Sequence, residues 1–283
     1  MKKNIIRKHN EIIQACYRLT SSELRLIYSC ISKIDYEQLI DEENIFAINV
    51  HDYAKTFNLP LTNARRDLKK AVARIWEQDI TIKKGAKNGS DIKVRWLSSI
   101  SVPDEKDRYK DDTVEIRFSP QIIPYLTNLK EQGNFTLYKL EHLSDLKSTY
   151  SIRLYEIMKK IQKISPQSIQ ISDLREMFCL NNKYPRMKDF KGSVLDKAVG
   201  EINKSTDIKI SYENQKRGKS IIGFKFTIKE NKLSLENKPG KKYLSESEIL
   251  KMAQLSKFTG YSWPKLYLKL ESQGYTFERK HKY

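Results

Sequence analysis

Three features of this 283-residue chain predict an α+β fold of two tandem winged helix-turn-helix domains with a small helical C-terminal extension. The first is an internal repeat. Ile48-Asn49-Val50-His51-Asp52-Tyr53-Ala54-Lys55-Thr56-Phe57-Asn58-Leu59 aligns without a gap on Ile169-Gln170-Ile171-Ser172-Asp173-Leu174-Arg175-Glu176-Met177-Phe178-Cys179-Leu180. The second is a basic amphipathic segment after each copy, where Leu68-Lys69-Lys70-Ala71-Val72-Ala73-Arg74-Ile75 answers Leu195-Asp196-Lys197-Ala198-Val199-Gly200-Glu201-Ile202. The third is that both segments run into a short strand, Asp79-Ile80-Thr81-Ile82 and Asp207-Ile208-Lys209-Ile210. Strand, short helix, long basic helix, strand is the order of a winged helix-turn-helix, whose second helix lies in the major groove of DNA.

In the first module, Ile12, Ile13, Cys16 and Tyr17 form an apolar stretch, and Thr20-Ser21-Ser22-Glu23 has the spacing of a capping box. It starts a helix with Leu24, Ile27, Tyr28 and Ile31 inward. An acidic loop over residues 35–44 leads to a strand over 45–50, a short helix over 52–57 and a long helix over 63–77. Ala64, Leu68, Ala71, Val72 and Ile75 share one face of that long helix, while Asn63, Arg66, Lys69, Lys70 and Arg74 fall mostly on the other. The period then changes to two, in Ile92-Lys93-Val94-Arg95-Trp96 and Val114-Glu115-Ile116-Arg117-Phe118, as strands require. The charged loop over 103–112 between them reads as a wing tip.

The second module repeats the plan from about Phe135. Ile152, Tyr155, Ile157, Met158 and Ile161 mark its first long helix, and Ser172 is expected to cap the short helix over 173–178. Residues 186–203 read as the long helix with Phe190, Val194, Leu195, Ala198 and Ile202 inward. Two β runs flank Asn214-Gln215-Lys216-Arg217-Gly218-Lys219, a hairpin with a cationic tip. Residues 231–242 are polar with Pro239-Gly240 and read as a linker, and two short helices are expected between 245 and 270. The expected domain borders are therefore 1–134, 135–230 and 231–283.

Charge narrows the function classes. The chain carries a formal +18, of which residues 135–229 hold +9, so a polyanionic partner is favoured and DNA above all. Cys16, Cys30 and Cys179 show no CxxC spacing and read as reduced core residues of a cytoplasmic protein, with no metal site. Met1-Lys2-Lys3 is not followed by an apolar run of the signal-peptide kind, and no stretch reaches the roughly twenty apolar residues of a membrane span, so no membrane partner is expected.

A helix-turn-helix reads bases with the N-terminal half of its second helix and holds phosphates with the flanks and the wing. That logic selects Arg186, Lys188, Lys191, Ser193 and Lys197 on the second module's helix and Lys216, Arg217 and Lys219 on its wing, with Asn63, Arg66, Lys69, Lys70 and Arg74 as the first module's counterparts. Each alone could be a solvated lysine or arginine, and helical spacing puts Lys191 close to the buried stripe. Catalytic readings are weaker. There is no GxxxxGK[ST] phosphate loop, which leaves ATP without a cradle, and no cofactor is expected. A rolling-circle nicking enzyme would need paired histidines beside a tyrosine, whereas His9, His51, His142 and His281 are scattered, and the helical phase of Tyr150 and Tyr155 points to packing. A transcriptional repressor without origin function is the alternative within the same fold.

Several stretches resemble the iteron-binding plasmid replication initiators of the type 3 Rep family, over residues 5–230. They are Arg18-Leu19-Thr20-Ser21-Ser22-Glu23-Leu24-Arg25-Leu26 and Leu146-Lys147-Ser148-Thr149-Tyr150-Ser151-Ile152-Arg153-Leu154-Tyr155-Glu156, then Phe190-Lys191 with Val194-Leu195, Glu201-Ile202-Asn203, and Lys216-Arg217-Gly218-Lys219 before Phe224-Lys225-Phe226. The resemblance implies two winged-helix domains on one face of double-stranded DNA at directly repeated origin sequences, the iterons. It implies that bound monomers open an AT-rich neighbour and recruit the host initiator and replicative helicase. It further implies a homodimer, formed through the first domain in equilibrium with monomer, that represses its own gene at an operator inverted repeat. The family's main reading helix maps onto residues 186–197. Gly192-Ser193 departs from relatives that are more basic there, which shifts the base-reading role toward Lys188 and Lys191.

Overall fold

The repeat folds as the same unit twice in the computed structural model, which describes residues 5–35, 40–83, 90–102, 112–127, 129, 133–231, 242–243, 266 and 275–276. The chain runs through β1 (Ile5–His9), α1 (Asn10–Gln14), β2 (Cys16–Tyr17) and α2 (Ser21–Ile31) into the first copy, β3 (Phe46–Asn49), α3 (Val50–Thr56), α4 (Leu61–Ile75) and β4 (Asp79–Ile82). Strands β5 (Ile92–Arg95), β6 (Leu97–Ser101), β7 (Thr113–Phe118) and β8 (Phe135–Lys139) follow, then α5 (Glu141–Ser144) and α6 (Thr149–Ile161). The second copy is β9 (Gln167–Gln170), α7 (Ile171–Met177), α8 (Met187–Phe190), a π-helical segment at Lys191–Asp196, α9 (Lys197–Ser205) and β10 (Ile208–Arg217), closed by β11 (Ser220–Glu230). Among the described residues, no helix is long and apolar enough to cross a membrane.

The two copies share their turn as well as their order. After α3, Leu59 N–H donates to Ala54 O at 2.9 Å, and after α7, Leu180 N–H donates to Arg175 O at 2.9 Å. The aligned residues Asn58 and Cys179 both take a left-handed backbone, with φ of 50° and 51°. Asparagine tolerates that conformation; cysteine adopts it against its ordinary preference. The starts differ. Asn49 caps α3 by accepting from His51 N–H at 2.8 Å. The expected cap at Ser172 is not formed: α7 begins at Ile171 after Gln170, which makes no side-chain cap, and Ser172 Oγ donates to Asp173 instead at 3.1 Å.

All the strand pairs of these two halves are antiparallel, in the orders β2–β4–β5, β3–β7–β6, β10–β11–β9 and β1–β8. Strand β8, at the start of the second expected domain, lies along β1 with Ile5 opposite Lys139 and His9 opposite Phe135. The capping box of α2 forms in full, with Thr20 accepting from Glu23 N–H and Glu23 Oε2 accepting from Thr20 N–H at 2.7 Å. Ala64, Leu68, Ala71, Val72 and Ile75 are buried in one copy and Phe190, Val194, Leu195, Ala198 and Ile202 in the other, so both expected apolar stripes face the core. Residues 1–230 form one packed unit and 231–283 a second. In the second unit, Lys242–Tyr243 and Tyr275–Thr276 pair as parallel strands. Leu266 apart, the helices expected between 245 and 270 lie outside the described residues, as do positions 232–241 of the expected linker and 103–111 of the expected wing tip.

Two features of the interior join residues far apart in the chain. Lys8 Nζ donates to Glu156 Oε1 at 2.7 Å and to the Tyr17 hydroxyl at 2.9 Å, and Tyr138 donates to the same carboxylate oxygen at 2.5 Å. Arg153 donates to Glu156 Oε2 at 3.3 Å, to the Tyr17 hydroxyl, and to the carbonyls of Ala15 at 2.8 Å and Met177 at 3.0 Å. Buried charges persist only when paired and hydrogen-bonded, and these pair with one another, although Arg153 Nε makes no hydrogen bond to a described residue. The second feature corrects the expectation of three reduced thiols: Cys16 and Cys179 form a disulfide with Cα atoms 5.2 Å apart. Cys30 alone stays free, buried in α2. No local spacing announces a bond closed across 163 residues, because packing of the turn after α7 near β2 makes it.

Candidate nucleic-acid interface

The long helix of the second copy is not regular. An α-helical turn, the π segment Lys191–Asp196 and α9 follow without a break, so the pattern read as one α-helix over 186–203 is corrected at its centre. A π turn holds an extra residue and rotates the later turns of a helix relative to the earlier ones, which is why such turns concentrate at functional sites. Its apolar side stays anchored. Phe190 packs 6.2 Å from Phe224 of β11, and Val194 and Leu195 are fully buried.

The N-terminal end of this helix is positioned from α7. Arg175 donates to the carbonyls of Lys183 at 2.9 Å and Tyr184 at 2.6 Å, and its guanidinium lies 4.8 Å from the Phe190 ring. Tyr184 in turn stands 6.4 Å from Tyr150, whose hydroxyl is pushed up to about 12 by burial and the hydrogen bond between the two. Arg186, in extended conformation, then opens the helix, exposed.

Strands β10 and β11 form the wing. Arg217 pairs with Ser220 around a two-residue turn, and Gly218 takes a φ of 60° at its first central position, which glycine alone adopts without strain. Gly223 is required for a different reason: a Cβ there would stand 2.8 Å from Ile169 O and 3.1 Å from Gln215 Oε1. That close approach lets Gln215 Nε2 donate to Ser168 Oγ at 2.7 Å and ties the wing to β9.

The sequence-selected residues divide into two groups. Arg186, Lys188, Ser193 and Lys197 on the helix and Lys216, Arg217 and Lys219 on the wing are exposed, with no side-chain hydrogen bond or ion pair to another described residue. Lys191 differs. It is half-buried, donates to Asn214 Oδ1 at 3.3 Å, and lies 5.4 Å from the Tyr212 ring. In the first copy, Arg66 pairs with Asp67 at 3.2 Å, and Arg74 with the buried Glu23 at 3.0 Å. Lys69 and Lys70 are exposed and Asn63 half-buried, while Arg65, which helical phase did not single out, pairs with Asp112. The second copy thus presents the more open cationic surface.

Of the tyrosines considered as nucleophiles, Tyr150 is half-buried against Phe178 and Tyr184 and Tyr155 lies in the interior. Tyr155 is fully buried, and its hydroxyl donates to Asp207 Oδ1 at 2.8 Å, with His142 Nδ1 3.1 Å away. Burial and the Asp207 carboxylate push that hydroxyl far above its ordinary value, the reverse of what a nucleophile needs. Lys159 completes the group at 3.0 Å from Asp207 Oδ2. Sequence inspection missed this cluster and the Lys8–Glu156–Arg153 group. The available signal was charged residues inside an apolar helix, Arg153 and Glu156 three positions apart between Ile152 and Ile157.

Comparison with known proteins matches this architecture. The family model described as "Initiator Replication protein, WH1" matches residues 5–159, and "Initiator Rep protein, WH2" matches 170–228. An Escherichia coli replication initiation protein is 28% identical over 235 residues, covering 81% of this chain and 71% of that one. The Escherichia coli PI protein is 26% identical over 267 residues, covering 82% and 86%. The crystal structure of the Pi initiator protein in complex with iteron DNA superposes with a TM-score of 0.66 at 23% identity, covering 81% of this chain and 98% of that one, a likeness of fold.

Proposed function

The chain belongs to the initiator replication protein family, and from that premise we propose that it initiates plasmid replication by binding repeated origin sequences, the iterons, in duplex DNA. One observation carries the reading: the helix opened by Arg186 and the wing ending in Lys216, Arg217 and Lys219 leave their cations exposed on elements that are themselves tied together. Exposed cations on a rigid frame suit phosphate contacts, and the exposed N-terminal half of the helix suits base edges. Lys188 and Ser193 are assigned to bases, and Lys197 and the wing to phosphates. Lys191, engaged with Asn214, supports the wing.

In this reading residues 135–230 are the main reader, and residues 1–134 contribute backbone contacts through Lys69 and Lys70 and form the dimer. Monomers act at iterons, opening the origin and recruiting the host initiator and helicase; the dimer represses its own gene at an operator inverted repeat. The protein works in the cytoplasm and makes or breaks no covalent bond. Binding to matched and scrambled repeats at several salt concentrations is the test. Lys188→Ala should lower the matched-to-scrambled ratio, a cost of about 1–3 kcal/mol, while Arg217→Ala weakens both alike and reduces the salt slope by about one. A wild-type protein with no preference for repeats from beside its own gene would defeat the reading, as would nicking of supercoiled origin DNA.

A further inference from the structure

Asp196 is the one carboxylate within the segment 191–197 of the reading helix, between the exposed Ser193 and Lys197, and it is itself exposed. A free carboxylate there would repel phosphates. It is instead engaged by the wing: the Tyr212 hydroxyl of β10 donates to Asp196 Oδ1. The Tyr212 ring is fixed in turn, edge-on to Phe224 at 5.2 Å and tilted against Phe226 at 5.8 Å, while Lys191 lies over it and reaches Asn214 two residues on. The π segment therefore meets the wing at both of its ends, through Lys191 at the first residue and Asp196 at the last. Gln215–Ser168 and the close approach at Gly223 brace the other side of the same hairpin.

We infer that Tyr212 is a positioning residue for DNA binding: its hydrogen bond to Asp196 locks the wing to the reading helix at the π segment, so both meet the duplex as one preformed surface. The inference rests on the DNA-binding reading above and adds the part that sets the angle between its two contact elements. Preformed elements bind more tightly because no ordering is left to be done on contact. The Asp196 carboxylate acts as the anchor, its Oδ1 engaged by the hydroxyl.

Three variants separate the possibilities. Tyr212→Phe keeps the ring and deletes the bond. Asp196→Asn keeps an acceptor oxygen and deletes the charge; Asp196→Ala deletes both. Tyr212→Phe should weaken binding to the matched repeat about five- to twenty-fold and lower the salt slope by about 0.9 for each phosphate that the wing no longer reaches. Asp196→Ala should lower the slope likewise, and Asp196→Asn should keep it. Amide exchange over residues 213–221, measured without DNA, should accelerate in Tyr212→Phe and Asp196→Ala only, at an unchanged melting temperature. Unchanged exchange and slope in Tyr212→Phe would overturn the inference. So would affinity loss that merely tracks a fall in melting temperature at constant slope. If the wild type binds matched and scrambled DNA equally, the functional reading falls, yet exchange and slope still decide the role of Tyr212.

Discussion

Lys8 and Glu156, 148 residues apart in sequence, meet with Lys8 Nζ 2.7 Å from Glu156 Oε1 and both side chains sealed from solvent. Strand β1 supplies one and helix α6 the other, so the pair joins the first strand to the helix that precedes the second copy. Burial by itself would push the Glu156 carboxyl up. Lys8 and Arg153 beside it, with hydrogen bonds from Lys8 and Tyr138, hold it below its ordinary 4.5.

The pH dependence comes from that depression. An ionised Glu156 stabilises the fold fully above about 4.5, its unfolded value, and the contribution disappears as pH falls toward the lower folded value. Asp207, also held low although burial opposes it, by His142 and then Lys159, acts in the same direction. Urea denaturation at a series of acid pH values should show stability falling below that point. Glu156→Gln should flatten the acid limb in part and cost about 3–5 kcal/mol at neutral pH, since Lys8 and Arg153 lose the buried carboxylate that pairs them. An acid limb as steep as the wild type's would refute the assignment.

The thiol count tests the disulfide. Protein purified without reductant and unfolded in guanidinium should expose one reactive thiol, Cys30, and three after reduction. Cys16→Ser should lower stability by about 2–5 kcal/mol, because a long loop in the unfolded chain is no longer closed. Three reactive thiols before reduction would show that the bond does not form in solution.

Thr20→Ala should cost about 1 kcal/mol of stability through loss of the α2 cap, and Thr20→Ser should restore most of it. Neither change should alter the ratio of matched to scrambled DNA binding. A shift in that ratio would place Thr20 in the interface.

In the first copy, Lys70 and Arg74 should part company. Lys70 is exposed and unpaired among the described residues, so Lys70→Ala should weaken binding to every duplex and lower the salt slope. Arg74 pairs with the buried Glu23 of the capping box, so Arg74→Ala should cost up to about 1 kcal/mol of stability with a smaller effect on DNA. Titrations at two salt concentrations, run beside thermal melts, separate the two.

The winged-helix repeat was legible before any coordinates because each copy writes its own local pattern. Apolar residues recur at helical spacing in Leu68, Val72 and Ile75 and again in Leu195, Ala198 and Ile202, and a period of two comes after each. These patterns depend only on which side of one element faces oil, and neighbours in the chain suffice to show it. The exposed cations of the wing and of the second copy's long helix were legible for the same reason, as the polar complement of that stripe.

Contacts between elements are different in kind. The Cys16–Cys179 bond, the Lys8–Glu156 pair and the hold of Tyr212 on Asp196 each join residues whose encounter depends on how strands and helices pack. Lys191 illustrates the boundary. Its charge marked it as a candidate and its helical phase set it close to the buried stripe, but its contact with Asn214, on another element, came only from packing. Periodicity reports the face of a helix, and packing chooses the partner that face will meet.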